Sequence, residues 1–269
     1  AQASVLTLYD PERARGVNRL GQARGWDAAA SALRGAAARH RDGRGAGLRI
    51  LTETIASPAL LAQLAELLTL YRGARWHQYE PAGREGVGTA FGADANVYYD
   101  FRKADVVLSL DADFLGCGSG HLAYVRDFTD RRRVRGERLE MNRLYAVEST
   151  PTGTGAAADH RMPLRPSEIE ALARAVAAHL GVLPGVTGPD QFKGWNLAAL
   201  ITDLRRRPGA SLVIAGDGQP RSVQLLALAM NQELGNFGST VLVTDPPDLD
   251  PIERRRLSCL LYTSPSPRD

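Results

Sequence analysis

At 269 residues the chain can bury a sizeable core in one or two domains, and 44% hydrophobic with 23% charged residues is an ordinary α/β balance. Its 33 basic and 30 acidic residues leave a formal net charge of +3, too little to argue for nucleic acid, and no apolar run approaches the ~20 residues that span a bilayer. Two cysteines, Cys117 and Cys259, cannot supply the about four thiolates of an iron–sulfur or zinc centre, and His40, His77, His121, His160 and His179 lack ligand-like spacing, so no metal is expected.

The chain opens inside what reads as a strand, Val5-Leu-Thr-Leu-Tyr9, before the turn signal Tyr9-Asp10-Pro11, and its true start is expected to lie upstream. An Ala-rich segment at 28–41 has high helix propensity and stops at Asp42-Gly-Arg-Gly-Ala-Gly47. A strand at 48–52, a helix at 58–71 capped by Ser57 and a strand at 74–79 have the spacing of a parallel βαβ unit. The Gly-rich stretch 80–99 reads as a loop. Its Gly86-Val-Gly88 lacks the third glycine of a dinucleotide fingerprint, which would fall on Phe91.

The continuous apolar run at 104–110 predicts a strand buried on both faces, with Val106, Val107, Leu108 and Leu110 at the sheet centre. A helix at 120–131, a strand at 143–148 and a helix at 167–180 follow. The last has Ser167 as N-cap, Glu170 completing a capping box and Gly181 as its stop. Gly185-Val-Thr-Gly-Pro189 reads as a linker, ahead of a helix at 197–207, a strand at 211–216, a helix at 220–234 and a strand at 240–244. The alternation predicts an α/β fold of mostly parallel sheets flanked by helices, Rossmann-like and doubly wound. The expected divisions are a lead-in at 1–47, lobes at 48–186 and 187–257, and a non-native tail at 258–269 that looks like a translated sequencing adapter.

Candidate chemistry concentrates after the 104–110 strand. Asp111 and Asp113 leave it at alternate positions, which suits an acid/base pair or a magnesium site, but also suits carboxylates that brace a turn, the favoured reading. Glu148 and Asp159 are expected to anchor the following loop through Arg161 or Arg165. Cys117, in Gly116-Cys-Gly-Ser-Gly120, misses the nucleophile-elbow pattern and reads as a small loop residue. The arginine runs Arg131-Arg-Arg-Val-Arg135, Arg205-Arg-Arg207 and Arg254-Arg-Arg256 read as solvated surface, and Trp26, Trp76 and Trp195 as core or interface anchors.

Several motifs carry a resemblance. Ser109-Leu-Asp-Ala-Asp-Phe-Leu115 and Thr152-Gly-Thr-Gly-Ala-Ala-Ala-Asp-His-Arg161 occur with Leu8-Tyr-Asp-Pro-Glu-Arg13, Phe101-Arg-Lys-Ala-Asp105 and Asn231-Gln-Glu-Leu-Gly-Asn236. Together these resemble the molybdopterin oxidoreductase superfamily, and within it the cofactor-free half of the iron–sulfur B subunit of alternative complex III, over roughly residues 4–250. The resemblance implies the fold of the superfamily's central domains and a vestigial cofactor pocket at Asp111, Asp113, Thr152, Thr154, Asp159, Gly216 and Gly218. Where cofactor-binding relatives have Gly-Asn after the third strand, this chain has Asp111-Ala112. Where they have Pro-Gly-Thr-Asp, it has Pro166-Ser-Glu-Ile169.

The resemblance thus implies no catalytic residue, no cofactor in this chain and iron–sulfur clusters in a downstream half. It implies partner subunits of a respiratory complex at the periplasmic face of the bacterial cytoplasmic membrane. Two alternatives stay open: a fragment of an active bis-molybdopterin guanine dinucleotide oxidoreductase, and a free nucleotide-binding α/β module.

Overall fold

In a computed structural model of the chain, residues 3–55, 57–79, 87, 90–91, 95–118, 120–134, 140–184, 192, 196–245 and 255–256 are described. The linker at 185–189, Trp195 and the tail at 258–269 lie outside them. The chain divides into two units, residues 1–80 with 248–269, and residues 81–247.

In the first unit the segment read as an opening strand is a 3-10 helix, Ala3–Leu8. A strand needs a neighbour to satisfy its peptide groups, and among the described residues none pairs there; instead the Tyr9 N–H turns back to the Leu6 carbonyl. A short hairpin follows, β1 (Val17–Arg19) and β2 (Gln22–Arg24), turning through Leu20 and Gly21 at φ 51° and 79°. Two positive φ values in a two-residue loop suit the twist of the strands, but Leu-Gly is not the usual signal for such a turn. Helix α1 (Trp26–Arg39) leads to β3 (Arg49–Thr52), α2 (Pro58–Leu70) and β4 (Arg75–Gln78).

Strands β3 and β4 are parallel, as the βαβ spacing predicts, and Ser57 Oγ caps α2 by accepting from the Leu60 N–H. Trp76 is buried with Ile55 and Leu64, and its indole N–H donates to Thr52 Oγ1 at 2.9 Å. Trp26, expected as an anchor, is 78% exposed: α1 buries no residue within this chain.

The second unit holds the strands β5 (Asn96–Tyr99), β6 (Val106–Leu110), β7 (Arg143–Glu148), β8 (His160–Pro163), β9 (Ser211–Ala215) and β10 (Val241–Thr244). Four of these form one parallel sheet in the order β8-β7-β6-β9, which draws on both of the segments 48–186 and 187–257. Helices cover both faces, so the α/β doubly wound class is observed. Every residue of β6 is buried, and the strand is interior.

Alternation along β6 divides the core. Val106, Leu108 and Leu110 face α5 (Pro166–Leu180), α6 (Leu197–Arg206) and α7 (Arg221–Glu233), through residues such as Leu172, Val176, Leu200 and Met230. Val107 faces the other way, towards Tyr124 and Phe128 of α3 (His121–Arg131) and towards Phe101 and Phe114, whose rings stack at 4.5 Å. Strands β5 and β10 make a separate antiparallel pair on that side. The strand β5 falls in the stretch read as a loop, and its pairing with distant β10 supplies what local sequence does not show.

Two termini differ from expectation. Helix α5 starts at Pro166, not after Ser167, because proline at the first helical position already holds the required φ. Glu168 accordingly reaches back to the Arg165 N–H at 3.1 Å, and Glu170 pairs with Arg174 instead. Gly181 does end the helix, at φ 89°.

The motif Asn231-Gln-Glu-Leu-Gly-Asn236 closes the outer edge of β9. Asn231 accepts from the Val213 N–H at 2.9 Å and donates to the Val213 carbonyl at 2.6 Å, replacing a neighbouring strand with one side chain. Asn236 in turn donates to Asn231 Oδ1 at 2.8 Å and accepts from Ser211 Oγ at 3.1 Å, and both asparagines are fully buried. Asn231→Ala leaves two buried peptide groups without partners, so a loss of roughly 2–4 kcal/mol is expected in urea denaturation. A change below about 0.5 kcal/mol, the usual range of surface substitutions, would contradict this role.

Candidate functional site

The chain runs from β6 outward through β7 to β8, then returns to place β9 on the other side of β6. Neighbouring loops therefore part at the carboxyl ends of β6 and β9, the topological switch point where open α/β sheets hold ligands. A crevice of about 380 Å³ lies there, lined by Asp111–Phe114 after β6, Ala215–Gly218 after β9, and Val97, Tyr99, Tyr124 and Leu228 among others.

Asp111 ties together the loops after three strands. Its backbone is left-handed at φ 57°, a region that Asp tolerates better than most side chains. Oδ1 accepts from the Ser149 N–H at 2.8 Å, and Oδ2 from Gln219 Nε2 at 2.8 Å. Its N–H donates to the Val147 carbonyl at 2.7 Å. Gly216 passes so close that a Cβ there would sit 2.1 Å from the Asp111 carbonyl oxygen, so only glycine fits.

Asp113 is held from the β7 side. Oδ1 accepts from Thr154 Oγ1 at 2.7 Å and from the Thr154 N–H at 3.2 Å, while the Leu115 N–H donates to the same hydroxyl. Thr154 belongs to the short helix α4 (Gly153–Ala156), whose N-cap is Thr152. The Thr152 hydroxyl donates to buried Glu148, which also receives Arg161 Nε, as expected of Glu148.

Of the seven predicted pocket residues, Asp111, Asp113, Gly216 and Gly218 line the crevice. Thr154 supports it through Asp113, and Thr152 acts through α4 and Glu148. Asp159 lies about a strand's length away, at the amino ends of β7 and β8, where it accepts from the Leu144 N–H at 2.8 Å and from Arg132. Its partner is Arg132 and not the expected Arg161 or Arg165. Burial would raise the Asp159 carboxyl, and the bonds from Arg132 and Leu144 outweigh that and hold it below the usual range.

That amino edge corrects the solvated reading for Arg131 and Arg132, whereas Arg133, Arg205, Arg206 and Arg207 are exposed as expected. Arg131 bonds Asp105, and Arg207 bridges Asp105 at 2.7 Å and Glu140 at 2.9 Å. Arg132 stacks its guanidinium 4.9 Å from the Phe128 ring centre. The side chains of Arg131 and Arg132 are only 15% and 22% exposed.

The crevice was only partly legible in sequence. Tyr99, Tyr124 and Gln224 line it without having been singled out, since each comes from a different element. A phosphate site needs free N–H groups or cations. Here the N–H groups of Asp111, Cys117 and Gly216 donate to backbone carbonyls, and among the described residues no Lys, Arg or His lines the crevice. Asp111, Asp113 and Asp217 add negative charge, which opposes a phosphate there. Among the described residues no group of three His, Cys, Asp or Glu is placed to hold a metal ion.

No family model matches the chain, and no curated protein matches it. Eleven chains of solved structures do match. One is acetylene hydratase from Pelobacter acetylenicus, to which this chain is similar at 13% identity and a TM-score of 0.47 over 90% of its residues. The chain spans 38% of that protein's length.

Two outcomes test this geometry. Gly216→Ala is expected to cost at least about 2 kcal/mol in thermal denaturation, because backbone must move, whereas Gly218→Ala, with open space at its Cβ, stays within about 0.5 kcal/mol. Burial, followed by the Asp113 and Asp217 carboxylates, pushes the Cys117 thiol up. Thiolate therefore forms at higher pH in the folded chain, so peptide-resolved iodoacetamide labelling of Cys117 near pH 8 should be slower folded than in urea. The gap should close as pH passes the folded value, and Asp217→Asn should speed the folded reaction; equal rates throughout would refute the electrostatic account.

Proposed function

We propose that this chain is a catalytically silent lobe of a larger respiratory electron-transfer subunit, a molybdopterin-enzyme-like scaffold whose cofactor crevice is closed to the dinucleotide. The observation that carries the silence is the crevice itself: Asp111, Asp113 and Asp217 line it, and among the described residues no Lys, Arg or His does. The motif set around Asp111, Asp159 and Asn231 supports the family half of the reading. Clusters then belong to another part of the parent. The scaffold acts at the periplasmic face of the bacterial cytoplasmic membrane, held by partner subunits. No helix among the described residues is long and apolar enough to cross a membrane.

The energetics favour exclusion. One carboxylate about 4 Å from a phosphate costs on the order of 4 kcal/mol at an effective dielectric near 20. Restoring the relatives' Gly-Asn pair with Asp111→Gly and Ala112→Asn removes one such charge and leaves Asp113, Asp217 and the engaged amides. The double variant is expected to show no micromolar binding of molybdopterin guanine dinucleotide in a titration. Metal and pterin analysis of the intact parent decides the wider reading. Iron without molybdenum supports it, molybdenum with pterin favours an active oxidoreductase, and neither favours a free nucleotide-binding module.

A further inference from the structure

We infer that the exposed face of α1 is an interface at which two copies of this chain pair, their α1 helices antiparallel about a two-fold axis. The inference concerns the first unit alone and does not rest on the crevice.

Helix α1 is regular and anchored yet uncovered. Seven of its 14 residues are alanine, the strongest helix former, and Asp27 and Arg39 sit at the ends that favour their charges. Its carboxyl end is held where the Tyr71 hydroxyl donates to the Ala37 carbonyl at 3.1 Å. None of its residues is buried within the chain, and its two large apolar side chains, Trp26 and Leu33, are 78% and 71% exposed. Helices near this length are marginal in water unless one face packs, so α1 lacks the cover that ordinarily stabilises such an element.

The pattern of the face says what covers it. At about 100° per residue, Trp26, Ala29, Ala30, Leu33, Ala36 and Ala37 fall within about 60° of Leu33, an apolar stripe with heptad spacing. Large residues stand at 26 and 33, and alanines at 30 and 37. An antiparallel pair with Ala30 opposite the partner's Leu33 also sets Trp26 on the partner's Ala37, so each large side chain meets a small one. The two-fold axis repeats every such contact. A parallel pair would instead set Trp26 against Trp26 and Ala30 against Ala30, and its alanine layers would not close.

Charge selects the same register. Asp27 and Arg34 lie on one flank of the stripe, about 120° and 100° round from Leu33. Equivalent flanks face each other across an antiparallel helix pair. In this register Asp27 comes level with the partner's Arg34 to within about 3 Å along the axis, and the symmetry forms that pair twice. A lipid surface is the poorer match: helices that lie on membranes present several large apolar residues, and four of the six residues of this face are alanine.

The dimer is weak. Fourteen residues make a helix about 21 Å long, and one pair of that length buries less than the ~1,200–2,000 Å² of stable complexes, so a dissociation constant on the order of 0.1 mM is expected.

The test is sedimentation equilibrium of the full chain from about 10 to 500 μM, a range that brackets this constant. A reversible monomer–dimer equilibrium is expected. Leu33→Glu should weaken it at least about tenfold with far-UV circular dichroism unchanged, since position 33 is solvated in the monomer. Asp27→Arg and Arg34→Asp should each weaken self-association several-fold by setting like charges together. An equimolar mixture of these two variants should associate about as well as the unaltered chain, because opposite charges then meet at both pairs. Mixing could not repair a mere loss of folding.

A monomer throughout the range, association indifferent to Leu33→Glu, or a mixture no stronger than its components would overturn the inference. A chain that stays monomeric yet co-sediments with phosphatidylcholine–phosphatidylglycerol vesicles, and loses this with Leu33→Glu, would overturn it in favour of a lipid surface.

Discussion

The contact of Gly216 with the Asp111 carbonyl governs how β6 and β9 end. A Cβ at 216 would lie 2.1 Å from that oxygen, so the loops after β6 and β9 can meet only if one of them has no side chain there. Their meeting turns Asp111 left-handed and aims its carboxylate at Ser149 and Gln219, which fastens the β7 loop and the entrance to α7 to the same point. A backbone approach, two strand ends and three loops therefore form one unit. The crevice beside it is preorganised by that unit and not by its apolar walls.

The opposite end of the sheet is held by charge. Asp105 bonds both Arg131 and Arg207, and Asp159 bonds Arg132, each pair partly withdrawn from water. Exposed pairs contribute about 0–1 kcal/mol each, while removing one partner of a buried pair costs ~3–5 kcal/mol. These pairs sit between those limits. They make the amino edge sensitive to the loss of any single member, because each carboxylate also meets the backbone or a second arginine.

Much of this fold was legible because local chemistry and burial agree. The apolar run of β6 admits only a strand covered on both faces, and Ser57 and Gly181 mark helix ends by their own bonding and φ. Legibility fails where a distant partner decides. His160–Pro163 reads as polar loop, yet it joins the sheet because β7 offers an edge in register. Asn96–Tyr99 becomes a strand through β10, more than 100 residues later in the chain. Val5–Tyr9 has the composition of a strand, yet among the described residues no strand pairs with it. Arginine runs carry no mark that separates solvated residues from those drawn into Asp105 and Asp159.

The site shows the same division. Asp111 and Asp113 were recognisable because they follow an apolar strand within a quoted motif, and Gly216 and Gly218 because the resemblance implies them at the pocket, whereas Gln219 and Ser149 take their bonds to Asp111 only when the loops converge. Convergence supports the bracing reading of the carboxylates. The Asp111 oxygens already receive a backbone N–H, a hydroxyl and an amide, so they are engaged by the loops they join. The N–H groups of Asp111 and Gly216 are engaged at the same junction, so the rigidity of the switch point has its origin in these bonds.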